Sequence, residues 1–377
     1  MIYLDYSATT PVNDEVLDTF CKVSRNFVGN PNSLHKLGVE AKELIDASTR
    51  QIEDILKLHD KEVIYTSGAS EANNTAIMGV VKKYPNRGHH IITTRLEHSS
   101  IIAPISALQN EGYEVSFVDL DENGLVTIEN LKKLIRNDTV LVSIGCVNSE
   151  LGIIQDIDRL GKFLKKYPKL IFHSDITQAV GKIKLNLDNV DLASFSAQKF
   201  YGLKGVGCLI KNKNIKIEPL IYGGKSTTVY RSGTPAVALI ASLAKALRLV
   251  YEDFDNRYNY VKGLNSYLRE ELSKIDGVHI NSSLESSPYI LNISIKNIKS
   301  EVMLHALESE DIYISTQTAC SKGGSSIGVF EITKNEDYAL HSLRISLSYL
   351  TTKEELDVFL KVFKEKMRKL DLFNESN

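Results

Sequence analysis

The chain alternates between short apolar runs and longer segments in which apolar residues recur every three or four positions. The short runs are typical of buried strands, and the longer segments are typical of amphipathic helices. The predicted strands include 62–66, 90–94, 114–118, 139–146, 170–173, 192–196 and 206–210. The helices predicted between them include 71–83, 101–110, 128–134 and 157–165. This alternation predicts an α/β fold, with a mostly parallel sheet and helices on both of its faces.

The pattern changes after Thr234. Pro235 begins one long amphipathic segment, 236–275, and a proline at the first helical position is a common helix start. Two more strands, 289–295 and 343–347, and two more helices, 300–308 and 353–367, are predicted beyond it. We therefore expect a large α/β domain over 15–255. A small α+β domain is expected from 1–14 together with 256–377.

The composition argues against several classes of function. The 377 residues include 45 Lys+Arg and 47 Asp+Glu, and this net charge of −2 gives no reason to expect a nucleic-acid or membrane partner. The four cysteines are far apart and lack metal-ligand spacing, which argues against a disulfide framework and a zinc site. No apolar run is long enough to span a membrane, and the N-terminus does not resemble a signal peptide. We expect a protein of the reducing cytoplasm, without a metal.

Three polar segments follow predicted strands, at the edge where ligands of parallel sheets bind. Thr66-Ser67-Gly68-Ala69-Ser70-Glu71 opens a helix, which suits a phosphate or an ordinary helix cap. Asp175 ends a strand and is followed by Gln178, so it could meet a cationic ring nitrogen or cap a helix. Lys199 follows Ser194-Phe195-Ser196-Ala197-Gln198, where it could form a Schiff base or be solvated. Their order matches the requirements of pyridoxal phosphate (PLP), namely a phosphate loop, an acid and a lysine.

Three further residues have two interpretations each. Cys320 lies among small polar residues and beside Lys322, where it is either an activated exposed thiol or an incidental loop cysteine. Arg344, within an apolar strand, is expected to pair with a carboxylate from the protein or from a ligand. His98 could stack on a ligand ring or simply begin a helix. Cys146 and Cys208 are expected in the core, and Cys21 in a helix.

Taken together, the motifs resemble those of cysteine desulfurases in the class V aminotransferase group, which have PLP fold type I. The resemblance runs nearly from end to end. It is carried by Tyr3-Leu4-Asp5-Tyr6-Ser7-Ala8-Thr9-Thr10, Gly29-Asn30-Pro31, Glu97-His98, Val147-Asn148, Arg231-Ser232-Gly233-Thr234, Ala319-Cys320 and Leu343-Arg344-Ile345-Ser346.

The resemblance implies a role for each matching residue. Lys199 would hold PLP as a Schiff base and move protons, Asp175 would pair with the pyridinium nitrogen, and His98 would stack on the ring. Amide groups would reach the phenolic oxygen, and small polar residues would bind the phosphate. The amides are those of Asn148 and Gln178; the phosphate positions are Ala69, Ser70, Ser196 and Gln198, with Thr234 contributed by the neighbouring subunit of a homodimer.

The resemblance also implies the substrate and the reaction. Arg344 would bind the carboxylate of L-cysteine, with Asn148 nearby. Cys320 would attack the sulfur of the bound cysteine, keep it as a persulfide and release L-alanine. The sulfur would pass to an acceptor protein, either an iron–sulfur scaffold or an enzyme of tRNA or cofactor thiolation, without direct contact to nucleic acid.

Some positions depart from the family pattern. Gln198 stands where a histidine usually precedes the lysine, so a phosphate donor is kept but an acid–base group is lost. Ser149 replaces a common asparagine, Ile176 replaces a small residue, and Lys322-Gly323-Gly324 is an unusual continuation after the cysteine. Two alternatives keep PLP but change the reaction: a selenocysteine lyase, or another class V aminotransferase in which Cys320 is incidental. A third is a PLP-binding sulfur-relay or regulatory protein with little turnover.

Overall fold

A computed structural model describes residues 1–316 and 324–375, with side chains up to residue 370. The strands are β1 (Ile2–Tyr3), β2 (Lys61–Thr66), β3 (His90–Thr93), β4 (Glu114–Phe117), β5 (Thr139–Ser143), β6 (Ile171–Asp175), β7 (Leu192–Ser196), β8 (Gly207–Asn212), β9 (Val278–Ile280), β10 (Ile290–Ile295), β11 (Ile312–Tyr313) and β12 (Ser342–Ser346). The helices are α1 (Asp14–Asn26), α2 (Lys36–Ile55), α3 (Ala69–Lys83), α4 (Ser99–Asn110), α5 (Ile128–Leu134), α6 (Ile157–Leu164), α7 (Val237–Glu252), α8 (Phe254–Ser273), α9 (Ser300–Glu308), α10 (Ile327–Thr333), α11 (Glu336–Leu340) and α12 (Lys353–Glu375). A short 3₁₀ turn, Ala197–Lys199, follows β7.

The central sheet has seven strands in the order β2-β8-β7-β6-β5-β3-β4. Strands β3 to β7 run parallel to their neighbours within that group, whereas β8 is antiparallel to both β7 and β2. The predicted mostly parallel sheet is confirmed. The sheet brings the carboxyl ends of β5, β6 and β7 to one edge.

Successive residues of the central strands enter different cores. Ile91, Leu141 and Ile171 pack in one apolar cluster with residues of α3 and α4, such as Ile77 and Ile105. Their sequence neighbours Ile92, Val142 and Phe172 pack in the other, with α2, α6 and α7. Because strand side chains alternate between faces, both faces of the sheet are covered by helices. This explains why the strands are continuously apolar.

A second, three-stranded sheet lies in the C-terminal part, with antiparallel order β12-β10-β9. The N-terminal strand β1 pairs with β11, and Asp5 bridges to Ser346 of β12. The N-terminal segment is therefore joined to the C-terminal region. The division into 15–255 and the remainder stays a prediction.

The prediction of one continuous segment over 236–275 is wrong in one respect. The structure has two helices, because the backbone of Asp253 (φ −128°, ψ 37°) leaves the helical region between α7 and α8. The ring of Phe254 stacks between Tyr251 and Tyr258, with centroid distances of 5.6 and 6.3 Å. Apolar periodicity does not reveal such a break, since the aromatic contacts continue across it.

Within the described residues, no helix is long and apolar enough to cross a membrane.

Candidate active site

A cavity of ≈ 320 Å³ opens at the carboxyl ends of the central parallel strands. The parallel strands deliver residues from distant parts of the sequence to this edge. Ten of the predicted site residues line it: Ala69, Ser70, His98, Asn148, Asp175, Gln178, Ser196, Gln198, Lys199 and Arg344. Thr234 is exposed and is not among the lining residues, and Cys320 lies outside the described residues.

The start of α3 forms one wall of the cavity. Gly68 precedes the helix, and no side chain of the described chain caps that helix at this position. A Cβ atom on Gly207 would lie 2.7 Å from the Cα of Gly68, so only glycine lets β8 pack this closely behind the loop. The free amides of the first turn, with Ser70 and Ser196 beside them, can bind a phosphate-sized anion.

Asp175 is held in a fixed orientation at the end of β6. Its Oδ2 accepts a hydrogen bond of 2.8 Å from the Nδ2 of Asn73, and its Oδ1 accepts one of 2.9 Å from the backbone N–H of Thr177. Asn73 also donates to Ser100 Oγ at 2.9 Å. A half-buried carboxylate that accepts two hydrogen bonds remains available to a cationic group in the cavity.

Lys199 lies at the end of the 3₁₀ turn. Its Nζ donates to the carbonyl oxygens of Ser7 and Ala8, at 2.8 and 2.5 Å. Burial, followed by the positive charge of Arg344, lowers the pKa of Lys199 to about 8. The amine is therefore much closer to its neutral, nucleophilic form than a solvated lysine.

His98 and Glu97 form another side of the cavity. His98 caps α4, and its Nδ1 accepts a hydrogen bond of 3.1 Å from the N–H of Ser100. Burial lowers the pKa of His98, which favours a neutral ring that can stack on a planar ligand. Burial raises the pKa of Glu97 to about 7, although Thr94 and Gly145 donate to its carboxylate.

The amides of Asn148 and Gln178 are oriented by backbone groups. Asn148 donates to the carbonyl oxygen of Leu96 at 2.8 Å, and its Oδ1 accepts from the N–H of Leu151 at 2.7 Å. Gln178 donates from Nε2 to the carbonyl oxygen of Ser7 at 2.9 Å. An amide nitrogen carries two hydrogens, so each residue retains a second donor.

Arg344 is the contribution of β12 to the cavity and is only 3% exposed. One terminal nitrogen donates to Asp5 Oδ1 at 2.7 Å, and the other donates to the carbonyl oxygen of Ser149 at 3.1 Å. Its Nε is buried and has no hydrogen-bond partner in the described part of the chain. A buried donor without a partner is costly, so this edge of the guanidinium is suited to an anionic ligand.

The cysteines of the described region are not part of this chemistry. Cys146 and Cys208 are buried, as predicted, and burial raises the pKa of the Cys146 thiol to about 12. Cys21 lies in α1 and is half-buried. None of the three lines the cavity.

Sequence reasoning missed residues that support the site. Asn73 was overlooked, although it lies one helical turn after Ser70 and is fully buried. Asp5 was noted only as part of a motif, and its contact with Arg344 spans 339 positions of sequence. Lys182 was not noted, although it lies four residues after Gln178 and is buried with it. Their burial is visible only in the folded chain, so the sequence offers no more than the proximity of Asn73 and Lys182 to predicted site residues.

Comparison with known proteins agrees with this geometry. The model of the family described as Aminotransferase class-V matches residues 2–359. The chain is similar to a NifS/IcsS protein homolog of Lactobacillus delbrueckii subsp. bulgaricus, with 39% identity over 97% of each chain. It is also similar to cysteine desulfurase IscS of Histophilus somni, with 36% identity over 99% of this chain and 96% of the relative.

Solved structures share the fold over almost all of the chain. A NifS-like protein superposes with a TM-score of 0.91 and 34% identity, covering 97% of this chain and 99% of its own. SspA in complex with cysteine superposes with a TM-score of 0.81 and 27% identity, covering 93% of this chain and 100% of its own. The predicted fold type is therefore confirmed.

Proposed function

The chain belongs to the class V aminotransferase family, and we propose that the cavity residues described above hold its cofactor while Cys320 accepts the sulfur. The protein is a PLP-dependent cysteine desulfurase that acts on L-cysteine. One observation carries the assignment of residues. Lys199 and Asp175 line the same cavity as the uncapped start of α3, so an amine, an acid and an anion site converge.

The donor set fits PLP. The phosphate would bind at the start of α3, where Ala69, Ser70, Ser196 and Gln198 offer backbone or side-chain donors. Asp175 would meet the ring nitrogen, His98 would lie against the ring, and Asn148 and Gln178 would donate to the phenolic oxygen. Bound there, PLP supplies an electron sink for bond breaking at the substrate.

Lys199 would hold PLP through Nζ and carry protons during the reaction. A lysine whose pKa lies at about 8 exchanges protons readily near neutral pH, which an ordinary lysine does not. Gln198, beside it, has no acid or base in its side chain, so proton transfer is left to the lysine.

Arg344 would bind the carboxylate of the substrate. Its buried Nε and the second hydrogen of each terminal nitrogen would provide the donors, while Asp5 and Ser149 hold one terminal nitrogen each. An arginine fixed in this way orients a carboxylate rather than simply attracting it.

Cys320 would then take the sulfur. Its thiolate attacks the substrate sulfur, the Cβ–S bond of cysteine breaks, an S–S bond forms, and a proton completes the methyl group of alanine. L-cysteine and one thiol thus become L-alanine and one persulfide, with no further oxidant or reductant. An iron–sulfur scaffold or a thiolation enzyme for tRNA or a cofactor would receive the sulfur.

We also propose a homodimer in the cytoplasm. Thr234 is exposed and lies outside the cavity lining of its own subunit, which supports a contact with the phosphate site of a neighbouring subunit. A reducing compartment would keep Cys320 available as a thiol.

The test is the pair Cys320→Ser and Cys21→Ser, assayed with L-cysteine and a reductant. Cys320→Ser should keep the visible absorbance of the bound cofactor but lose sulfide production by at least about a hundredfold, since a hydroxyl cannot carry sulfur. Cys21→Ser, on α1, should behave as the wild type. Full sulfide production by Cys320→Ser would refute the role of this thiol. Keto-acid-dependent amino transfer without sulfide release would instead favour an aminotransferase.

A further inference from the structure

Lys182 is a buried amine to which the reaction described above gives no role. It is 6% exposed, and its Nζ donates to Oε1 of Gln178 at 2.6 Å. The charges that act on it, those of Lys199 and Arg344, are positive, and no acid among the described residues offsets them. Burial and these two charges lower the pKa of Lys182 to about 7. A lysine kept in such an unfavourable position suggests a local function for its hydrogen bond.

The contacts of Gln178 define which way its amide faces. The carbonyl oxygen of Ser7 can only accept, so the nitrogen of the amide lies on that side, at 2.9 Å. Oε1 consequently lies on the side of Lys182, which donates to it. Gln178 is itself 5% exposed and lines the cavity, so its second N–H is the part that a cavity ligand can meet.

The same contacts connect Lys182 to Lys199. The carbonyl oxygen of Ser7 accepts from both Gln178 Nε2 and Lys199 Nζ, the latter at 2.8 Å. Lys182, Gln178, Ser7 and Lys199 therefore form one continuous chain of hydrogen bonds. Without Lys182, Oε1 would lose its donor, and the hydrogen bond to Ser7 alone would hold the orientation of the Gln178 amide.

We propose that Lys182 is a positioning residue of the cofactor site: it holds Oε1 of Gln178, so that the amide offers an N–H to the phenolic oxygen of PLP. The proposal rests on the proposed cofactor site. The expected consequence is a change in the proton affinity of the bound cofactor. A donor at the phenolic oxygen and a nearby positive charge both disfavour a proton on the cofactor–Lys199 unit, so Lys182 lowers the pH at which that unit loses its proton.

The experiment measures the pH midpoint of the visible absorbance of the bound cofactor in the purified holoenzyme. Lys182→Met removes the donor and the charge, and should raise the midpoint by roughly one pH unit, a tenfold change in proton affinity. Lys182→Arg, which keeps both, should recover most of the wild-type value. Lys184→Met is the matched control, because the Lys184 side chain is 80% exposed and pairs only with Asp255 among the described residues. It should not move the midpoint.

A double-mutant cycle with Gln178→Met tests whether Lys182 acts on the cofactor through Gln178. If Lys182 acts through Gln178, Lys182→Met should add little shift in the Gln178→Met background. Equal shifts in both backgrounds would overturn the proposal, as would a wild-type midpoint in Lys182→Met. Should Lys182→Met not fold, Gln178→Met alone must raise the midpoint, and an unchanged value would overturn the proposal too. Absence of a cofactor band in the wild type would refute the proposed cofactor site itself. That result can be told apart from a failure of the Lys182 proposal, in which the band is present but its midpoint does not move.

Discussion

The central seven-stranded sheet and the C-terminal three-stranded sheet line the same cavity with different chemistry. The central sheet contributes an acid and an amine at strand ends, Asp175 after β6 and Lys199 after β7, beside the free amides of α3. The three-stranded sheet contributes Arg344 from the middle of β12, where it is paired in register with Asn292 of β10. The central sheet therefore contributes groups from turns and helix ends, whereas the three-stranded sheet contributes one side chain from within a paired strand.

This difference separates two kinds of recognition. Turns and helix starts expose backbone donors, which suit a phosphate and a ring that must be held from several directions. A strand arginine has one orientation, set by Asp5 and Ser149, which suits a single small carboxylate. We therefore expect changes in the central sheet to affect the cofactor, and changes in β12 to affect the substrate.

The largest effect is expected from Lys199→Ala. This variant lacks the amine that we propose holds PLP and moves protons, so sulfide production should fall by about a thousandfold or more. The visible absorbance of the holoenzyme should be lost or shifted as well. Lys184→Ala, at an exposed position, serves as the control and should change neither quantity. A Lys199→Ala enzyme with normal absorbance and turnover would contradict the assignment of cofactor binding to the central sheet.

A smaller and more selective effect is expected from Arg344→Gln. The loss of charge-assisted hydrogen bonds, worth about 1.5–3 kcal/mol, should raise KM for L-cysteine by roughly 10- to 100-fold. The visible spectrum and the affinity for PLP should remain those of the wild type. Arg248→Gln removes an exposed ion pair with Glu252 on α7 and provides the control. Loss of bound PLP with an unchanged KM would contradict the assignment of substrate recognition to β12.

The central sheet was the more predictable of the two regions. Its inner strands, such as β5 and β7, are buried on both faces and read as apolar runs, and the predicted strand 192–196 has the same bounds as β7. Once the strands are parallel, the residues after them must meet at one edge, so the proximity of Asp175 and Lys199 follows from local pattern and topology. The ends were less exact: β5 stops at Ser143, before the predicted Cys146, although the N–H of Cys146 still donates to the carbonyl oxygen of Asp175 in β6.

The contacts that connect the two regions were not predictable from local pattern. The ion pair of Asp5 and Arg344 joins residues 339 positions apart, and nothing in either segment specifies the other. Lys182 has no periodic or motif signal, since its burial results from the packing around the turn after β6. Such residues are identified by their surroundings in the folded chain, which a sequence pattern does not contain.

The smallest effect is expected from Glu97→Gln. This variant tests how strongly burial raises the pKa of a carboxyl group that lines the cavity beside the central sheet. Burial raises the pKa of Glu97 to about 7, so the folded protein keeps a proton that the unfolded chain releases near its ordinary value of 4.5. The unfolded chain thus binds fewer protons between these values, and this carboxyl makes the wild type less stable as pH rises through 7. Glutamine does not titrate. Relative to the wild type, Glu97→Gln should therefore gain about 1–2 kcal/mol between pH 5 and pH 8, less than the full pKa shift implies because the carboxyl borders the cavity.

Urea unfolding of the cofactor-free protein at several pH values measures this difference. Glu122→Gln, at an exposed turn, is the matched control and should change stability by less than about 0.5 kcal/mol at each pH. A pH-independent difference between the wild type and Glu97→Gln would mean that Glu97 is ionised throughout this range. In that case the donors Thr94 and Gly145 would outweigh burial, and the edge of the central sheet would carry one more negative charge beside the proposed cofactor site than we infer.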